Sequence, residues 1–175
     1  FGMMEKRGLS PRMLTMGDAA PVLYGEWRAP GANSTYVFYA HYDGQPIVDA
    51  KEWADPPFSA ALREGSIEGG GKAISQLPAD GAIDPNWRIF GRSAADDKAG
   101  IIVILSAVSA LQVSGIQPRA NLKFVFEGEE ETGSEHLETI LSANKELLHS
   151  DGWIICDSPI HSSNRQSVLF GVRGV

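Results

Sequence analysis

Residues 36–43 read Tyr-Val-Phe-Tyr-Ala-His-Tyr-Asp, an apolar run that ends in a histidine and a carboxylate. The aromatic and β-branched residues of Tyr36–Ala40 favour a β-strand. His41 and Asp43 come directly after that run, where a strand would give way to a loop. The stretch therefore predicts a sheet strand whose end carries polar chemistry.

Similar short β-rich runs, each bounded by turn residues, predict the other strands of a sheet. Two helices are expected between them, at Lys98–Val113 and at Glu135–Leu148, the second with Ser134 as its N-cap and with an apolar side. Strands that alternate with helices indicate an α/β domain whose sheet is covered by helices. The predicted strands are Val22–Tyr24, Tyr36–Ala40, Leu122–Phe126, Trp153–Cys156 and Val168–Val172.

For Lys98–Val113 a strand is the alternative to a helix, because Ile101–Leu105 alone would suit a strand on propensity. The apolar and small residues continue, however, through Ala107, Ala110 and Leu111. A stretch of that length exceeds the usual strand and suits a helix buried against a sheet.

The composition is that of an ordinary globular domain. A chain of 175 residues is long enough for one domain with a core, and 43% apolar with 21% charged residues excludes disorder and fibrous repeats. A net charge of −7 without a Lys/Arg cluster argues against a nucleic-acid partner. No stretch approaches the roughly 18 apolar residues of a membrane span, so no membrane partner is expected. Residues 65–87, rich in Gly, Pro, Ser and Asp, predict a long surface excursion.

The compartment stays open on the sequence. The first residues lack the basic-then-apolar order of a secretion signal, which slightly favours a cytoplasmic protein. The chain begins at Phe1 instead of methionine, so a secreted or periplasmic protein with a processed leader is the alternative. Cys156 is the one cysteine and has no internal disulfide partner, and its apolar neighbours predict a buried, inert thiol.

Acidic residues recur at the ends of the predicted strands and in loops: Asp43, Asp96-Asp97, Glu129–Glu131 and Asp157. Taken singly, each has a structural interpretation as a turn, an N-cap or a solvated helix start. Taken together they indicate one cluster, because the carboxyl ends of parallel strands share one edge of an open sheet. Carboxylates that crowd there raise one another's pKa, and a bound cation removes that cost. With His41 among them the set suits zinc, with manganese or cobalt as alternatives.

Three segments carry a more specific pattern, His41–Asp43, Gly91–Lys98 and Glu127–Ser134, which read HYD, GRSAADDK and EGEEETGS. They resemble the M20 metallopeptidase family, and the similarity runs from about Tyr24 to the end of the chain. The resemblance implies an α/β fold with helices packed on both faces of a mostly parallel mixed sheet, as in zinc peptidases. It also implies that residues 1–175 are the N-terminal part of the metal-binding catalytic domain, without the family's lid domain or the rest of the catalytic domain.

The resemblance further implies the ligands of two zinc ions, with manganese or cobalt as alternatives. His41 and Asp157 would bind the first ion, Glu131 would bind the second, and Asp96 would bridge both. The family takes a further histidine ligand for the second ion from a distant part of the chain that is not present here. The only histidine after Asp157 in this sequence is His161, and we expect it to be an exposed loop residue.

The same resemblance implies the catalytic roles. Glu130 would be the general base that takes a proton from the water bridging the two ions, and Asp43 would orient the metal-binding histidine. The family often has a cis peptide bond between the residues at Asp96 and Asp97. Ser93 stands where the family usually has glycine, and the excursion at 65–87 is longer than usual, so the loop geometry beside Asp96 is the least defined part.

The expected activity is metal-dependent hydrolysis of amide bonds in small peptides or N-acyl amino acids. A dipeptidase is preferred over a carboxypeptidase or an N-acyl-amino-acid deacylase, and the full-length protein would form a homodimer through the lid. Residues 1–175 alone should bind at least one zinc ion and turn over poorly. The alternative is a non-catalytic binding module that keeps the fold, and replacement of Glu130 distinguishes the two. A serine hydrolase is disfavoured because the chain has no Gly-x-Ser-x-Gly sequence.

Overall fold

The structure is a computed structural model that describes residues 1–158, 163, 165 and 167–169. Short 3-10 turns lie at Ala50–Glu52 and Glu130–Thr132. In chain order the helices and strands are α1 Gly2–Glu5, β1 Arg12–Leu14, β2 Val22–Trp27, β3 Thr35–His41, β4 Ala61–Arg63, β5 Arg88–Phe90, α2 Lys98–Val113, β6 Asn121–Glu127, α3 Leu137–Ala143, α4 Lys145–Leu148 and β7 Gly152–Ile155.

A five-stranded mixed sheet forms the centre of the fold, with the strand order β1-β2-β6-β3-β7. Strand β3 runs parallel to both of its neighbours, β6 and β7. Strand β2 pairs antiparallel with β6, and β1 pairs antiparallel with β2. The carboxyl ends of β3, β6 and β7 therefore lie at one edge of the sheet, and the predicted α/β fold with a mixed sheet is confirmed.

Helices cover both faces of the sheet because successive side chains of each strand point to opposite faces. On one face Phe124 of β6 belongs to a buried cluster with Leu105 of α2. On the other face Val125 belongs to a cluster with Ile140 of α3. Burying a side chain of this size contributes roughly 1.5–3 kcal/mol, so these two clusters fix the positions of the helices.

The helix predicted at Lys98–Val113 has those bounds in the structure. The helix predicted at Glu135–Leu148 is divided into α3 and α4 at Asn144, whose side-chain amide donates to the carbonyl of Ile140 at 2.8 Å. That bond satisfies a carbonyl that the interrupted helix leaves free. Of the helices described, none is both long and apolar enough to cross a bilayer.

The predicted N-cap at Ser134 is wrong. His136 precedes α3, and Ser134 lies two residues earlier with a φ of +53°. The Ser134 hydroxyl donates to the carboxylate of Glu127 at 3.1 Å instead of capping the helix. A competing side-chain partner inside the fold has therefore replaced the local bond that the sequence suggested.

Four of the predicted strands correspond to β2, β3, β6 and β7. The fifth was expected at Val168–Val172, but its described residues, 168 and 169, are not in a strand, and 170–172 lie outside the described residues. Strands β1, β4 and β5 were not predicted, because three residues are too few to show a periodic pattern. Cys156 is only partly buried, because it follows β7 at the edge of the sheet, and burial raises the pKa of its thiol.

Residues 64–87, between β4 and β5, contain no helix or strand and are largely exposed. One isolated bridge pairs Ala73 with Arg63. The Arg63 guanidinium donates to the carboxylate of Asp55 at 2.7 Å and to the carbonyl of Gly71 at 3.0 Å. A single arginine thus ties the start of this excursion to the preceding loop.

Candidate metal centre

The predicted site residues gather at the carboxyl ends of the parallel strands. His41 is the last residue of β3, and Asp157 follows β7 by two residues. Glu130 and Glu131 lie in the 3-10 turn after β6. Asp96 lies just before helix α2, beside the same strand ends. The topology therefore brings together residues that are up to 116 positions apart in the chain.

His41 is the centre of the group, and its side chain has no exposed surface. Its Nε2 atom lies 2.9 Å from Asp96 Oδ1, 3.8 Å from Glu130 Oε2 and 3.9 Å from Asp157 Oδ2. Its Nδ1 atom lies 3.0 Å from Asp43 Oδ1, on the opposite side of the ring. One ring nitrogen therefore faces the acidic cluster and the other is held by Asp43.

The crowded carboxylates shift the protonation equilibria of the site. Burial raises the pKa of Glu130, and although His41 lowers it, the negative charges of Asp157 and Glu131 raise it further. Burial lowers the pKa of His41, but the hydrogen bonds to Asp96 and Asp43 outweigh that effect, so the pKa is raised overall. Burial is thus the main cause at Glu130, and the surrounding carboxylates raise the pKa of both groups.

Two overlapping groups of described side chains could hold a metal ion. His41, Asp96 and Glu131 offer ligand atoms that lie within 4.8 Å of one another, and so do His41, Glu130 and Asp157. An imidazole nitrogen with several carboxylate oxygens is a donor set that fits zinc and related divalent ions. Glu130, predicted as a base, thus lies at ligand distance beside Asp157.

Asp43 and Gln45 hold the turn that carries Glu131. Asp43 Oδ2 accepts a hydrogen bond from the backbone N–H of Glu131 at 3.1 Å. The side-chain amide of Gln45 donates to Glu131 Oε2 at 2.6 Å, and its backbone N–H donates to Oε1 at 3.3 Å. Both carboxylate oxygens of Glu131 are therefore oriented by one neighbouring residue.

Asp97 fastens the start of helix α2 to the end of β3. Its side chain is buried, and its Oδ2 atom accepts a hydrogen bond from the backbone N–H of His41 at 3.2 Å. Burial raises the pKa of Asp97, whereas the bond from His41 lowers it. The peptide bond between Asp96 and Asp97 is cis, as the family resemblance implied.

Ser93, which departs from the family pattern, is matched by Gly44. Ser93 is buried and has a φ of +61°, a backbone conformation that favours glycine. A Cβ atom at position 44 would overlap the Ser93 hydroxyl. The absence of a side chain at Gly44 therefore provides the space that Ser93 occupies, between the loop of Asp96 and the segment of Asp43.

Sequence reasoning gave no site role to Gln45, Asp97, Glu127 or Glu129. Gln45 and Asp97 lie within a few residues of predicted ligands, so proximity was an available indication for both. Glu129 Oε1 accepts from the backbone N–H of Ala20 at 3.0 Å, and its Oε2 lies 2.9 Å from His136 Nδ1, so it joins distant segments. No local pattern identifies such a contact in advance.

Neither His136 nor His149 belongs to the groups of described side chains that could hold a metal ion. His136 pairs with Glu129, and His149 accepts a bond from Lys123 through its carbonyl at the other end of the strands. His161, which we expected to be an exposed loop residue, lies outside the described residues.

Comparison with known proteins gives a family match over most of the chain. The model of a family described as "Peptidase family M20/M25/M40" matches residues 37–167. That range includes all six predicted site residues: His41, Asp43, Asp96, Glu130, Glu131 and Asp157.

Two curated relatives cover nearly all of the chain. The chain is 29% identical over 176 residues to the Cys-Gly metallodipeptidase dug1 of Schizosaccharomyces pombe. This alignment covers 98% of the chain and 33% of that protein. The chain is 26% identical over 171 residues to the human Beta-Ala-His dipeptidase, covering 95% of the chain and 29% of that protein. The chain therefore spans about a third of the length of these relatives.

A solved structure supports the same fold. The M20 family metallo-carboxypeptidase Sso-CP2 from Sulfolobus solfataricus matches with a TM-score of 0.72 and 27% sequence identity. The match covers 94% of this chain and 32% of that one.

Proposed function

Because this chain belongs to peptidase family M20/M25/M40, we propose that it provides the metal-binding and proton-transfer residues for hydrolysis of an amide bond in a small peptide. The observation that carries the proposal is the convergence of the acidic side chains on Nε2 of His41. Such a gathering of carboxylates without a cation is unfavourable, which supports a bound divalent ion.

We propose that the site binds two zinc ions, with manganese or cobalt as alternatives. His41 and Asp157 would bind one ion, Glu131 would bind the other, and Asp96 would bind both. When bound, divalent ions at such a centre polarise a carbonyl group and lower the pKa of a water molecule. Asp43 would keep the His41 ring in the tautomer that leaves Nε2 free to act as a ligand.

Glu130 would be the group that transfers a proton during hydrolysis. Its carboxylate faces the same cluster as His41, and it would accept a proton from the attacking water and deliver it to the departing amine. A positioned general base of this kind contributes about 10²–10⁴-fold to a rate. The role of Glu130 separates an enzyme from a binding module, because a binding module has no use for proton transfer.

The substrate class is argued from the relatives. One of them is named for Cys-Gly and the other for Beta-Ala-His, and both are called dipeptidases. We therefore propose a dipeptide as the substrate, with an N-acyl amino acid or a longer peptide cleaved at its C-terminus as alternatives. Dipeptides and N-acyl amino acids with the same C-terminal residue, assayed side by side on the full-length protein, decide between them by kcat/KM.

Two further points are part of the proposal. The family's additional histidine ligand and its lid would be supplied from outside residues 1–175, so this segment alone would bind metal and hydrolyse slowly. The full-length protein would pair as a homodimer through the lid. Sedimentation velocity of the full-length protein with and without the lid tests the dimer, which should be lost when the lid is removed.

The decisive experiment replaces Glu130 by Gln in the full-length protein. Metal content and hydrolysis are then measured on the same purified sample. We expect zinc content to be retained and kcat to fall by about 10²–10⁴-fold, since the base is lost. Glu135→Gln, the same change at an exposed residue outside the cluster, is the matched control and should be indistinguishable from the unmodified protein. Full activity of Glu130→Gln, or no activity in the unmodified protein on any of the three substrate classes, would favour the non-catalytic binding module.

A further inference from the structure

Glu127 is a buried acidic residue that the proposed chemistry does not use. It is the last residue of β6, lies opposite His41 in the parallel ladder, and is only 2% exposed. It belongs to neither of the two groups of side chains that could hold a metal ion. Its burial therefore requires a separate explanation.

The partners of Glu127 are two hydroxyl groups. Tyr39 of β3 donates its phenolic hydrogen to Glu127 Oε1, and Ser134 Oγ donates to the same oxygen at 3.1 Å. Within the described part of the chain, no lysine, arginine or histidine forms an ion pair with Glu127. A buried carboxylate without a cationic partner is costly even when it is hydrogen-bonded, so the arrangement calls for a compensating role.

The bond to Ser134 spans the segment that carries the site's glutamates. Residues 128–134 leave the end of β6, form the 3-10 turn that contains Glu130 and Glu131, and finish at Ser134. The backbone N–H of Ser134 also donates to the carbonyl of Glu129 at 2.8 Å. The Glu127 side chain thus joins the end of β6 to the last residue of this segment.

Ser134 adopts a backbone conformation that a serine rarely adopts. Its φ of +53° lies in the left-handed region, where a side chain is unfavourable. Glycine would suit this position better on backbone grounds, and the preceding Gly133 also has a positive φ, of +93°. The hydroxyl group is what serine adds over glycine here, and its partner in the fold is Glu127.

We propose that Glu127 is a positioning residue, which holds the turn of Glu130 and Glu131 against the end of β3 through the hydroxyls of Tyr39 and Ser134. This inference rests on the proposed function for the roles of Glu130 and Glu131. The contact itself does not depend on that function, because it involves only groups outside the metal ligand sets.

The test compares Glu127→Leu with Glu127→Gln. Leucine removes the acceptor, whereas glutamine keeps a carbonyl oxygen that both hydroxyls can reach. Titration with Zn²⁺ in a calorimeter should show that Glu127→Leu weakens the binding of one ion by about 10–100-fold, the range seen for groups that orient ligands. Glu127→Gln should bind both ions within about threefold of the unmodified protein, because the acceptor of both hydroxyls is retained.

Ser134→Gly covers the case in which Glu127→Leu does not fold. It removes the hydroxyl and relieves the backbone, so the fold is retained while one ion is bound more weakly. Ser10→Gly, at an exposed serine with a φ of +47° far from the site in sequence, is the matched control and should leave metal binding unchanged. Wild-type affinities for both ions in Ser134→Gly, or equal losses in Glu127→Leu and Glu127→Gln, would overturn the proposal.

A second readout separates this inference from the proposed function. Amide hydrogen exchange of residues 129–134 is measured on the metal-free chain, and it should be faster in Ser134→Gly and Glu127→Leu but not in Glu127→Gln. If the unmodified protein binds no divalent ion, the proposed function fails and the exchange rates still test the contact. Unchanged exchange in Ser134→Gly would contradict the positioning role whatever the metal result.

Discussion

The two ends of the parallel strands are both polar, but their charges are arranged differently. At the amino end, Lys123 Nζ donates to the carbonyls of Leu147 and His149 at 2.6 and 2.7 Å, and Glu26 pairs with Arg28 at 3.2 Å. These charged groups have partners, and the partners include the end of helix α4. That end therefore has the features of a stabilising contact.

At the carboxyl end, five carboxylates surround one imidazole. Among the described residues, no lysine or arginine forms an ion pair with any of these acids. Within the described part of the chain, only the imidazole of His41 therefore offsets their negative charge by direct contact, and such an excess of negative charge favours a bound cation. The acids are Asp43, Asp96, Glu130, Glu131 and Asp157. The contrast between the two ends is that the carboxyl end has an excess of negative charge, and the proposed metal centre depends on that excess.

Removing the imidazole should have the largest effect on metal binding at the carboxyl end. In the proposed arrangement His41 and Asp157 hold one of the two ions, so His41→Ala should abolish tight binding of that ion. Zinc content after gel filtration, measured by mass spectrometry, checks the prediction. His149→Ala at the amino end is the matched control and should retain the zinc. Two bound ions per chain in His41→Ala would contradict the assignment of the centre.

A change at the amino end should affect stability and leave metal binding alone. Lys123→Met keeps the apolar stem but leaves the carbonyls of Leu147 and His149 without their donor. The free energy of unfolding should fall by about 1–3 kcal/mol, the cost of an unsatisfied polar group. Urea unfolding of the metal-free chain measures that loss, and Zn²⁺ titration should give unchanged affinities. Weakened zinc binding would show that the two ends are coupled.

A smaller effect is expected from the residue that orients Glu131. Gln45→Ala removes the side-chain amide that donates to Glu131 Oε2. We expect one ion to bind about tenfold more weakly, which is about 1.4 kcal/mol, and the other to bind as before. Calorimetric titration distinguishes the two ions. Gln112→Ala, which changes a glutamine on helix α2, is the control, and equal weakening in both variants would reject a specific role for Gln45.

The smallest effect concerns a single ionisation. The hydrogen bond that His136 donates to the carboxylate of Glu129 raises the pKa of His136 above its ordinary value of 6.5. Its contribution to stability is therefore present while His136 is protonated and is lost as the pH rises through the raised pKa. Proton NMR titration should show the raised pKa, and Glu129→Gln should lower it. A His136 pKa at or below 6.5 in the unmodified chain would be inconsistent with the observed pair.

The sequence predicted the location of the site through topology. His41, Glu130, Glu131 and Asp157 each follow a β-rich run, and parallel strands place such ends at one edge. The order of the elements is enough to place these strand ends together, and hydrophobic patterning reveals that order. Hydrophobic patterning also predicted helix α2 with its observed bounds, because its apolar stretch is too long for a strand.

Features that depend on tertiary contacts could not be predicted in this way. Ser134 was expected to cap a helix, but Glu127 from the end of β6 binds its hydroxyl. Ser93 departed from the family pattern with no visible reason until the structure placed it over Gly44. In both cases the deciding partner lies elsewhere in the chain, and neither propensity nor spacing indicates the pairing.

The position of bound zinc in a crystal tests whether the proposed metal centre lies at His41. Crystals of the chain grown with Zn²⁺ would be measured at wavelengths on both sides of the zinc absorption edge. We predict anomalous difference peaks beside Nε2 of His41 and beside the carboxylates of Asp96 and Glu131. Peaks confined to other parts of the surface, with this cluster free of zinc at saturating concentration, would contradict the account.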